Sequence, residues 1–211
     1  MCGIAGLIGW EGRDDQVEEL INNMQSSLYH RGPDAKGFWH SHKHKIIFIH
    51  TRLSIIDLSK SGNQPMHSSC ERYIISFNGE IYNHLKLREE LKQLKHNIKW
   101  KGTSDTETLL ESISLLGLDK TLSNLRGMFA FSLYDKKNKK IYLIRDRFGE
   151  KPLYLLNLKN GIFAFASEIS PFSFIPGFSQ DLDLRAVSSY FQRGYIGAPL
   201  SIFKNIQKIM P

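Results

Sequence analysis

The chain opens with the stretch Met1-Cys2-Gly3-Ile4-Ala5-Gly6-Leu7-Ile8-Gly9. Its apolar residues, punctuated by glycines, predict a β-strand over residues 3–8. The residue just before that strand can carry chemistry. Removal of the initiator Met1, which is usual when a small residue follows, would leave Cys2 with a thiol and a free α-amine on the same residue.

An N-terminal cysteine of this kind is a nucleophile with its own base. A free thiol has a pKa near ~8.5 and an α-amine near ~7.7–8.0, so the amine can take the thiol proton directly or through one water. Attack of the sulfur on a carbonyl carbon then gives a thioester. The alternative for Cys2 is a small buried residue that opens a strand.

Length and composition indicate a protein with a packed core and without a membrane segment. The 211 residues, 41% of them hydrophobic, fit one large domain or one domain with a tail. No apolar run approaches the ~18 residues of a membrane span, and the first ten residues lack the basic region of a signal peptide. Cys2 and Cys70 show no metal-ligand spacing. We therefore expect a cytoplasmic protein with no metal site.

The net charge of +7 does not by itself indicate a nucleic-acid partner. The basic residues are spread along the chain, and the one cluster is Lys136-Lys137-Asn138-Lys139-Lys140. Because this cluster lies between two apolar runs, it is interpreted as a solvated hairpin turn. We therefore expect no nucleic-acid partner.

Two charged residues are candidates for substrate contacts. Arg52 follows a predicted strand at residues 45–50 and can hold a carboxylate by a two-pronged contact, although an ordinary ion-paired arginine is the alternative. Ser104 and Glu107 match a capping box at the start of a helix. That motif leaves Asp105 unassigned in the first turn, where its carboxylate can receive an ammonium group.

The pair Asn78-Gly79 allows two interpretations. Asn-Gly after the predicted strand at residues 73–77 is a strong hairpin signal. However, the segment that follows, residues 85–95, is predicted to be helical rather than a returning strand. An asparagine amide and a glycine N–H can also form an oxyanion hole. The residues alone leave both interpretations open.

The remaining pattern predicts further elements around these candidates. A helix is expected over residues 17–28 behind Asp14 and Asp15, and a last helix over residues 184–191. Between them, short strands at residues 128–134, 141–145, 153–158 and 162–166 suggest an antiparallel meander, with a densely charged loop between the second and the third. The last twenty residues show no clear period and are interpreted as a tail or a connection.

Eight short motifs occur together in the order typical of one family. They are Met1-Cys2-Gly3-Ile4-Ala5-Gly6, Arg31-Gly32-Pro33-Asp34, Arg52-Leu53-Ser54-Ile55-Ile56-Asp57-Leu58, Gln64-Pro65-Met66, Phe77-Asn78-Gly79-Glu80-Ile81-Tyr82-Asn83, Ser104-Asp105-Thr106-Glu107, Arg126-Gly127-Met128-Phe129-Ala130-Phe131, and Arg145-Asp146-Arg147-Phe148-Gly149 with Lys151-Pro152-Leu153-Tyr154. In this combination the chain resembles the glutaminase domain of class II glutamine amidotransferases, and within them the asparagine synthetase branch.

The resemblance implies an α+β fold, a four-layer αββα sandwich of two antiparallel sheets of the N-terminal nucleophile hydrolase type. It also implies roles for residues in glutamine hydrolysis. Cys2 would attack the side-chain amide, while Asn78 and the Gly79 N–H hold the oxyanion. Arg52 would bind the α-carboxylate of glutamine, and Asp105, helped by Glu80, the α-ammonium. The backbone of four residues would line the pocket: Leu53, Ser54, Ile55 and Ile56. The other charged motif residues are expected to brace the fold or its contact with a partner domain, namely Arg31, Asp34, Asp146 and Arg147.

The resemblance further implies a partner. Residues 1–191 would form the glutaminase domain, and residues 192–211 resemble the start of the connection to an ATP-dependent synthetase domain whose Ser-Gly-Gly-x-Asp-Ser loop does not occur in this sequence. The glutaminase half would need no cofactor, and ATP and Mg would belong to the synthetase domain, in the same parent chain or a separate one. The oligomeric state, a homodimer included, is left open.

Two alternatives to a working glutaminase stay open at this point. The domain can be a catalytically idle module that binds glutamine or a partner, because Met1 persists or because the synthetase domain is missing. It can also be a different N-terminal nucleophile hydrolase, such as an amide acylase.

Overall fold

The computed structural model describes residues 1–94 and 98–211. Within these residues the chain forms five α-helices: α1 (Asp14–Ser27), α2 (His84–Leu94), α3 (Asp105–Leu116), α4 (Leu118–Asn124) and α5 (Leu184–Arg193). The same residues form ten strands: β1 (Gly3–Ile8), β2 (Ala35–Ser41), β3 (Ile46–Arg52), β4 (Met66–His67), β5 (Tyr73–Ile81), β6 (Gly127–Asp135), β7 (Lys140–Arg145), β8 (Tyr154–Asn157), β9 (Phe163–Ala166) and β10 (Ile206–Lys208).

The strands form two antiparallel sheets. The first has the order β10-β8-β9-β1-β3-β2, and the second has the order β4-β5-β6-β7. In the first sheet, β1 lies between β3 and β9, with Ala5 opposite both Ile49 and Ala166. The stretch that opens the sequence is therefore a central strand, covered by neighbours on both edges.

Three apolar layers separate four layers of secondary structure. The first layer joins α1 to the outer face of the first sheet and includes Leu20, Met24 and Ile49. The middle layer lies between the sheets and includes Phe48 and Phe165 from the first sheet with residues of the second. The third joins α3 to the second sheet. The predicted α+β fold, a four-layer αββα sandwich, is confirmed.

The helix predicted behind Asp14 and Asp15 shows how the pattern determines this packing. The apolar residues that recur every three or four positions all lie on one buried face: Val17, Leu20, Ile21, Met24 and Leu28. The two aspartates lie in the first turn of α1, where they complement the helix dipole. The predicted helix over residues 85–95 is α2, and Lys95 lies outside the described residues.

The predicted four-strand meander is wrong. β6 and β7 pair in the second sheet, whereas β8 and β9 pair in the first. The charged loop after β7 carries the chain from one sheet to the other. Asp146 holds that loop, because its carboxylate accepts the backbone N–H groups of Phe148 and Lys151 at 3.0 and 3.1 Å. Strand patterns alone do not distinguish the two routes, since all four strands bury residues in the same sandwich.

The hairpin interpretation of Asn78-Gly79 is also wrong. Both residues lie inside β5, where Asn78 is opposite Ala130 and Gly79 is opposite Phe129. Only a glycine fits at position 79, because a Cβ there would overlap the carbonyl oxygen of Met128 on the neighbouring strand. The strand thus continues straight through the motif and carries it to the end of the second sheet.

The last segment of the chain contributes to the first sheet. Residues 206–208 form β10, which pairs with β8 in the register Ile206 opposite Leu156. The proposed boundary between a domain at residues 1–191 and a tail at 192–211 stays a prediction. Among the helices of the described residues, none is long and apolar enough to cross a membrane.

Candidate active site

A cavity of about 120 Å³ lies where the start of β1, the end of β3, the middle of β5 and the start of α3 meet. Nine of the ten predicted site residues line it: Cys2, Arg52, Leu53, Ile55, Ile56, Asn78, Gly79, Glu80 and Asp105. The structure does not bring Ser54 into this lining. The Ser54 N–H instead donates to Asp34 Oδ2 at 2.7 Å, so this residue fixes the loop behind the cavity.

The Cys2 thiol is held against the backbone of the residue that follows Arg52. Its Sγ lies 3.4 Å from the N–H nitrogen of Leu53 and 3.6 Å from the Leu53 carbonyl oxygen. Burial raises the pKa of the Cys2 thiol, while the Leu53 N–H, the N-terminal ammonium and Arg52 oppose this shift. The sulfur can therefore form a thiolate only if a base nearby takes its proton.

Arg31 contacts the backbone of Cys2. Its Nε donates to the Cys2 carbonyl oxygen at 3.0 Å, and its Nη1 forms a 2.6 Å ion pair with Glu168. The side chain is buried, so the contact holds the backbone of Cys2 without competition from water. Arg31, predicted to brace the fold or a partner contact, thus contacts Cys2.

Arg52 lies in a cradle made by the loop that follows it. Its Nη1 donates to the Ser59 carbonyl at 2.7 Å and to Asn63 Oδ1 at 2.9 Å, and its Nη2 donates to the Asp57 carbonyl. Gly62 closes the cradle, since a Cβ there would overlap Nη2. Three of the five N–H donors of the guanidinium are thus engaged by described residues, which leaves two for a ligand in the cavity.

Asp57 supplies the negative charge behind this cradle. Burial by itself would raise the pKa of Asp57. Hydrogen bonds from Ser59 and Thr103, together with the charge of Arg52, outweigh burial and lower this pKa to about 2. The carboxylate is therefore ionised at neutral pH, and it fixes the loop around the guanidinium.

Asp105 is a buried carboxylate that forms no ion pair with the described residues. Its Oδ2 accepts the Ile81 N–H at 2.9 Å and its Oδ1 accepts the Thr106 N–H at 2.8 Å, and it is 5% exposed. Burial raises the pKa of Asp105, and the Ile81 hydrogen bond opposes that shift. None of the ion pairs within residues 1–94 and 98–211 includes it. Such a carboxylate is suited to bind a cationic group that enters the cavity.

Asn78 presents an unused donor. The residue is 1% exposed, and in the described part of the chain its Nδ2 has no hydrogen-bond partner. Leaving a buried donor unsatisfied costs about 1–3 kcal/mol. A donor that lines a cavity at this cost is suited to a ligand oxygen that binds there.

Gln64 and Lys151 are among the cavity residues that were not predicted as site residues from the sequence. Gln64 accepts the Phe77 N–H at 2.6 Å and donates to Thr106 Oγ1 at 3.3 Å, so it ties the strand of Asn78 to the helix of Asp105. Lys151 lies in the charged loop after β7, and its Nζ contacts Met1 Sδ at 3.1 Å. Both belong to the motifs of the resemblance, yet nothing in their local pattern indicates a cavity.

The other motif residues brace the fold. Glu107 does not complete the predicted capping box: Ser104 caps its N–H at 3.2 Å, but its carboxylate accepts the N–H groups of Lys101 and Gly102. Arg147 donates to the Leu125 carbonyl at 2.7 Å. The helix start at Ser104 is thereby tied to the loop before it, which fixes Asp105 at the cavity.

Comparisons with known proteins give a consistent result. A family model described as a glutamine amidotransferase domain matches residues 1–211. The chain is 37% identical over 227 aligned residues to the putative asparagine synthetase (glutamine-hydrolyzing) 2 of Methanocaldococcus jannaschii, covering 99% of this chain and 42% of the relative. It is 35% identical over 213 residues to the asparagine synthetase (glutamine-hydrolyzing) 1 of Bacillus subtilis, covering 100% of this chain and 32% of the relative.

A solved structure has the same fold. The glutamine phosphoribosylpyrophosphate amidotransferase of B. subtilis, in complex with ADP and GMP, superposes with a TM-score of 0.67 at 20% sequence identity. The match covers 82% of this chain and 43% of that protein. The chain thus spans less than half the length of each of these three proteins.

Proposed function

This chain belongs to the family of glutamine amidotransferase domains, and from that premise we propose that it hydrolyses the side-chain amide of glutamine with Cys2 as the nucleophile. The observation that carries the proposal is the shared cavity, in which the Cys2 thiol, the Asn78 amide and the Asp105 carboxylate lie together. The products are glutamate and ammonia, and the intermediate is a γ-glutamyl thioester on Cys2.

The reaction begins with a proton transfer within one residue. Once Met1 has been removed, the α-amine of Cys2 takes the thiol proton, and the sulfur attacks the amide carbon of glutamine. The negative charge that develops on the amide oxygen is stabilised by the Asn78 Nδ2 donor and the Gly79 N–H. The ammonium on Cys2 returns its proton to the leaving nitrogen, and the C–N bond breaks to release ammonia.

A water molecule completes the cycle. The α-amine, neutral again, takes a proton from water as the oxygen attacks the thioester carbon, and the same two donors hold the second oxyanion. The C–S bond then breaks, the sulfur recovers its proton, and glutamate leaves. These steps require only groups of this chain, so we propose that this half-reaction uses neither a metal nor an organic cofactor.

The charged groups of glutamine select the amino-acid substrate. The two remaining N–H donors of Arg52 bind the α-carboxylate by a charge-assisted contact. Asp105, helped by Glu80, binds the α-ammonium, which supplies the cation that the buried carboxylate lacks. This pair of contacts favours glutamine over a simple acyl amide, which has neither group.

We expect Asp105→Asn to raise the KM for glutamine by roughly 10- to 150-fold while kcat changes only a few-fold, because charge-assisted hydrogen bonds contribute about 1.5–3 kcal/mol. The measurement is steady-state glutamate release at pH 7. The exposed carboxylate of α4 provides the control, since Asp119→Asn should leave KM unchanged. An unchanged KM in Asp105→Asn would exclude the ammonium-binding role.

The folding stability of the same variant should fall less than that of the parent chain as the pH rises above 3.8. The pKa of Asp105 is higher in the folded chain than its usual value of 3.8, so above 3.8 the folded state holds a proton that the unfolded state has lost. The contribution of Asp105 to folding stability therefore falls as the pH rises from 3.8 to the higher pKa of the folded chain. The substituted amide carries no charge and removes this pH dependence. Its NH2 group also replaces one of the two oxygens that accept the Ile81 and Thr106 N–H groups, which lowers stability at every pH. Thermal melts over the pH range separate the two effects.

The alternative is a module that binds glutamine or a partner without hydrolysing it. One observation favours it for the unprocessed chain: Met1 lies in the cavity beside Cys2 and blocks the α-amine as a peptide bond. An amide nitrogen cannot accept the thiol proton. A chain that retains Met1 would therefore bind without hydrolysis, whereas a chain that begins at Cys2 would hydrolyse glutamine.

The test is glutamate release from glutamine by the purified chain, with the intact mass measured in the same preparation. We expect release from a chain that begins at Cys2 and none from a chain that retains Met1. A chain that begins at Cys2, binds glutamine and releases no glutamate would favour the binding module.

We further propose that the ammonia serves a synthetase domain. The relatives named above are asparagine synthetases of which this chain spans 42% and 32%. The remainder of such a protein, in the same chain or a separate one, would use ATP and Mg to activate the acceptor. Asparagine is the expected product by this likeness.

A further inference from the structure

Lys151 is a buried lysine in the wall of the glutamine cavity. It is 6% exposed, and its backbone is fixed on both sides. Its N–H donates to Asp146 Oδ2 at 3.1 Å, and its carbonyl accepts Arg145 Nε at 2.6 Å. The loop after β7 therefore fixes the backbone position from which the ammonium group reaches the cavity.

The ammonium of Lys151 has no carboxylate partner in the part of the chain that the structure describes. Its one hydrogen-bond partner there is the thioether of Met1, with Nζ 3.1 Å from Sδ. A thioether is a weak acceptor. Burying an ammonium without a counter-ion costs free energy, which is typical of a group that acts in the site it lines.

The other cations that face Cys2 are balanced by carboxylates. Arg31, which contacts the Cys2 carbonyl, pairs with Glu168 at 2.6 Å. Arg52 lies against the loop held by ionised Asp57.

The anions that share the cavity are Asp57, Glu80 and Asp105. Asp57 stands behind Arg52, and in the proposed function the other two face the α-ammonium of the substrate. Among the described cations of the cavity, Lys151 thus differs in having no carboxylate partner. Its positive charge therefore acts at the end of the cavity where Met1 joins Cys2.

We propose that Lys151 is a positioning residue whose ammonium keeps the α-amine of Cys2 neutral, and so able to act as the base, at the pH of the cell. This inference rests on the proposed function. Removal of Met1 takes away the thioether beside Nζ and creates the amine of Cys2 in the same cavity. Two like charges close together disfavour each other, so the fixed ammonium of Lys151 opposes protonation of the new amine.

The same charge assists the sulfur. When the thiol proton moves to the α-amine, a thiolate forms in a site where burial otherwise disfavours it. An ammonium in the same cavity adds to the stabilisation of that thiolate by Arg52, as cations do for other reactive cysteines. Lys151 therefore acts on both partners of the proton transfer and takes no proton itself.

The test is the pH profile of kcat/KM for glutamine hydrolysis in Lys151→Met. Without the ammonium, the amine protonates more easily, so the acid limb should move to higher pH by about one unit. Activity should approach that of the parent chain at high pH, where the amine is neutral in both. Lys151→Arg keeps the charge and should keep the acid limb in place.

A purely structural lysine would give a different result. Activity in Lys151→Met would then fall at every pH without a shift of the limb, and this outcome would overturn the inference. Equal shifts in Lys151→Arg and Lys151→Met would overturn it as well. If Lys151→Met fails to give a thermal melt like that of the parent chain, Lys151→Gln is used for the same profile.

A second measurement does not depend on glutamine. The rate of alkylation of Cys2 by iodoacetamide, followed by peptide mass, reports the thiolate at each pH, and Cys70 in the same chain is the internal control. We expect the Cys2 midpoint to rise in Lys151→Met and the Cys70 profile to stay fixed.

The two measurements separate the inference from the proposed function. A shift in alkylation with no glutamate release from the processed parent chain would support the role of Lys151 and reject the glutaminase. Glutamate release with no shift in either profile would support the glutaminase and reject the role of Lys151.

Discussion

Cys2→Ala should release no glutamate above background, a loss on the order of 10⁴-fold or more, because removing a catalytic nucleophile abolishes the covalent route. The variant keeps the α-amine, since Met1 is also removed before alanine, and it keeps the groups that contact the ends of glutamine. Glutamine should therefore still bind. The measurements are glutamate release and calorimetric titration with glutamine.

The second cysteine provides the matched control for this prediction. Cys70 is exposed, contacts Ser68 and Ser114 at 3.3 and 3.7 Å, and does not line the cavity. Cys70→Ala should therefore hydrolyse glutamine at the rate of the parent chain. Turnover by Cys2→Ala comparable to that of Cys70→Ala would reject Cys2 as the nucleophile.

Asn78→Ala should lower kcat by roughly 10²- to 10³-fold with little change in KM. Loss of one oxyanion donor typically costs about 2.7–4 kcal/mol of transition-state stabilisation. The buried Nδ2 of Asn78 has no partner among the described residues, so its removal disturbs the oxyanion without breaking a bond within the protein. The measurement is steady-state hydrolysis of glutamine over a range of concentrations.

Ser76 is the matched control on the same strand. It lies two residues before Asn78 and so on the same face of β5, and its buried hydroxyl is also without a partner among the residues that the structure describes. Because Ser76 does not line the cavity, Ser76→Ala should leave kcat unchanged. Equal losses of kcat in the two variants would indicate a general effect on the strand rather than a lost oxyanion donor.

The local patterns of the sequence predict the helices and strands. They predict less well how these helices and strands pack against one another. The strand after Cys2 and the helix at α1 follow from spacing alone, and both are confirmed. The family resemblance, carried by eight separate motifs, is confirmed over the whole chain. It supplies the four-layer arrangement, which no single spacing indicates.

The errors concern features that depend on distant residues. Asn78-Gly79 has the local signature of a turn, but pairing with Ala130 and Phe129 of β6 keeps it extended. The expected meander ends after β7, where the Asp146 carboxylate accepts N–H groups of its own loop. This loop carries the chain to the other sheet. In both places tertiary contacts override a local preference.

The candidate site shows the same limit. The charges at Arg52 and Asp105 are visible in the sequence, since each stands beside a strand end or a helix start. The cradle that fixes Arg52 is not visible, because it depends on the carbonyl of Ser59 and on the space left by Gly62. Gln64 and Lys151 reach the cavity only through the fold, so their positions could not be predicted.

The cavity is also handed. Cys2, Arg52 and Asp105 enter it from three separate elements: the start of β1, the end of β3 and the first turn of α3. Three anchor points that do not lie on one line distinguish a molecule from its mirror image, because the enantiomer can satisfy only two of them at a time. In the proposed function, a sandwich built from two sheets and a helix would thereby select the configuration at the α-carbon of glutamine through the placement of its anchors alone.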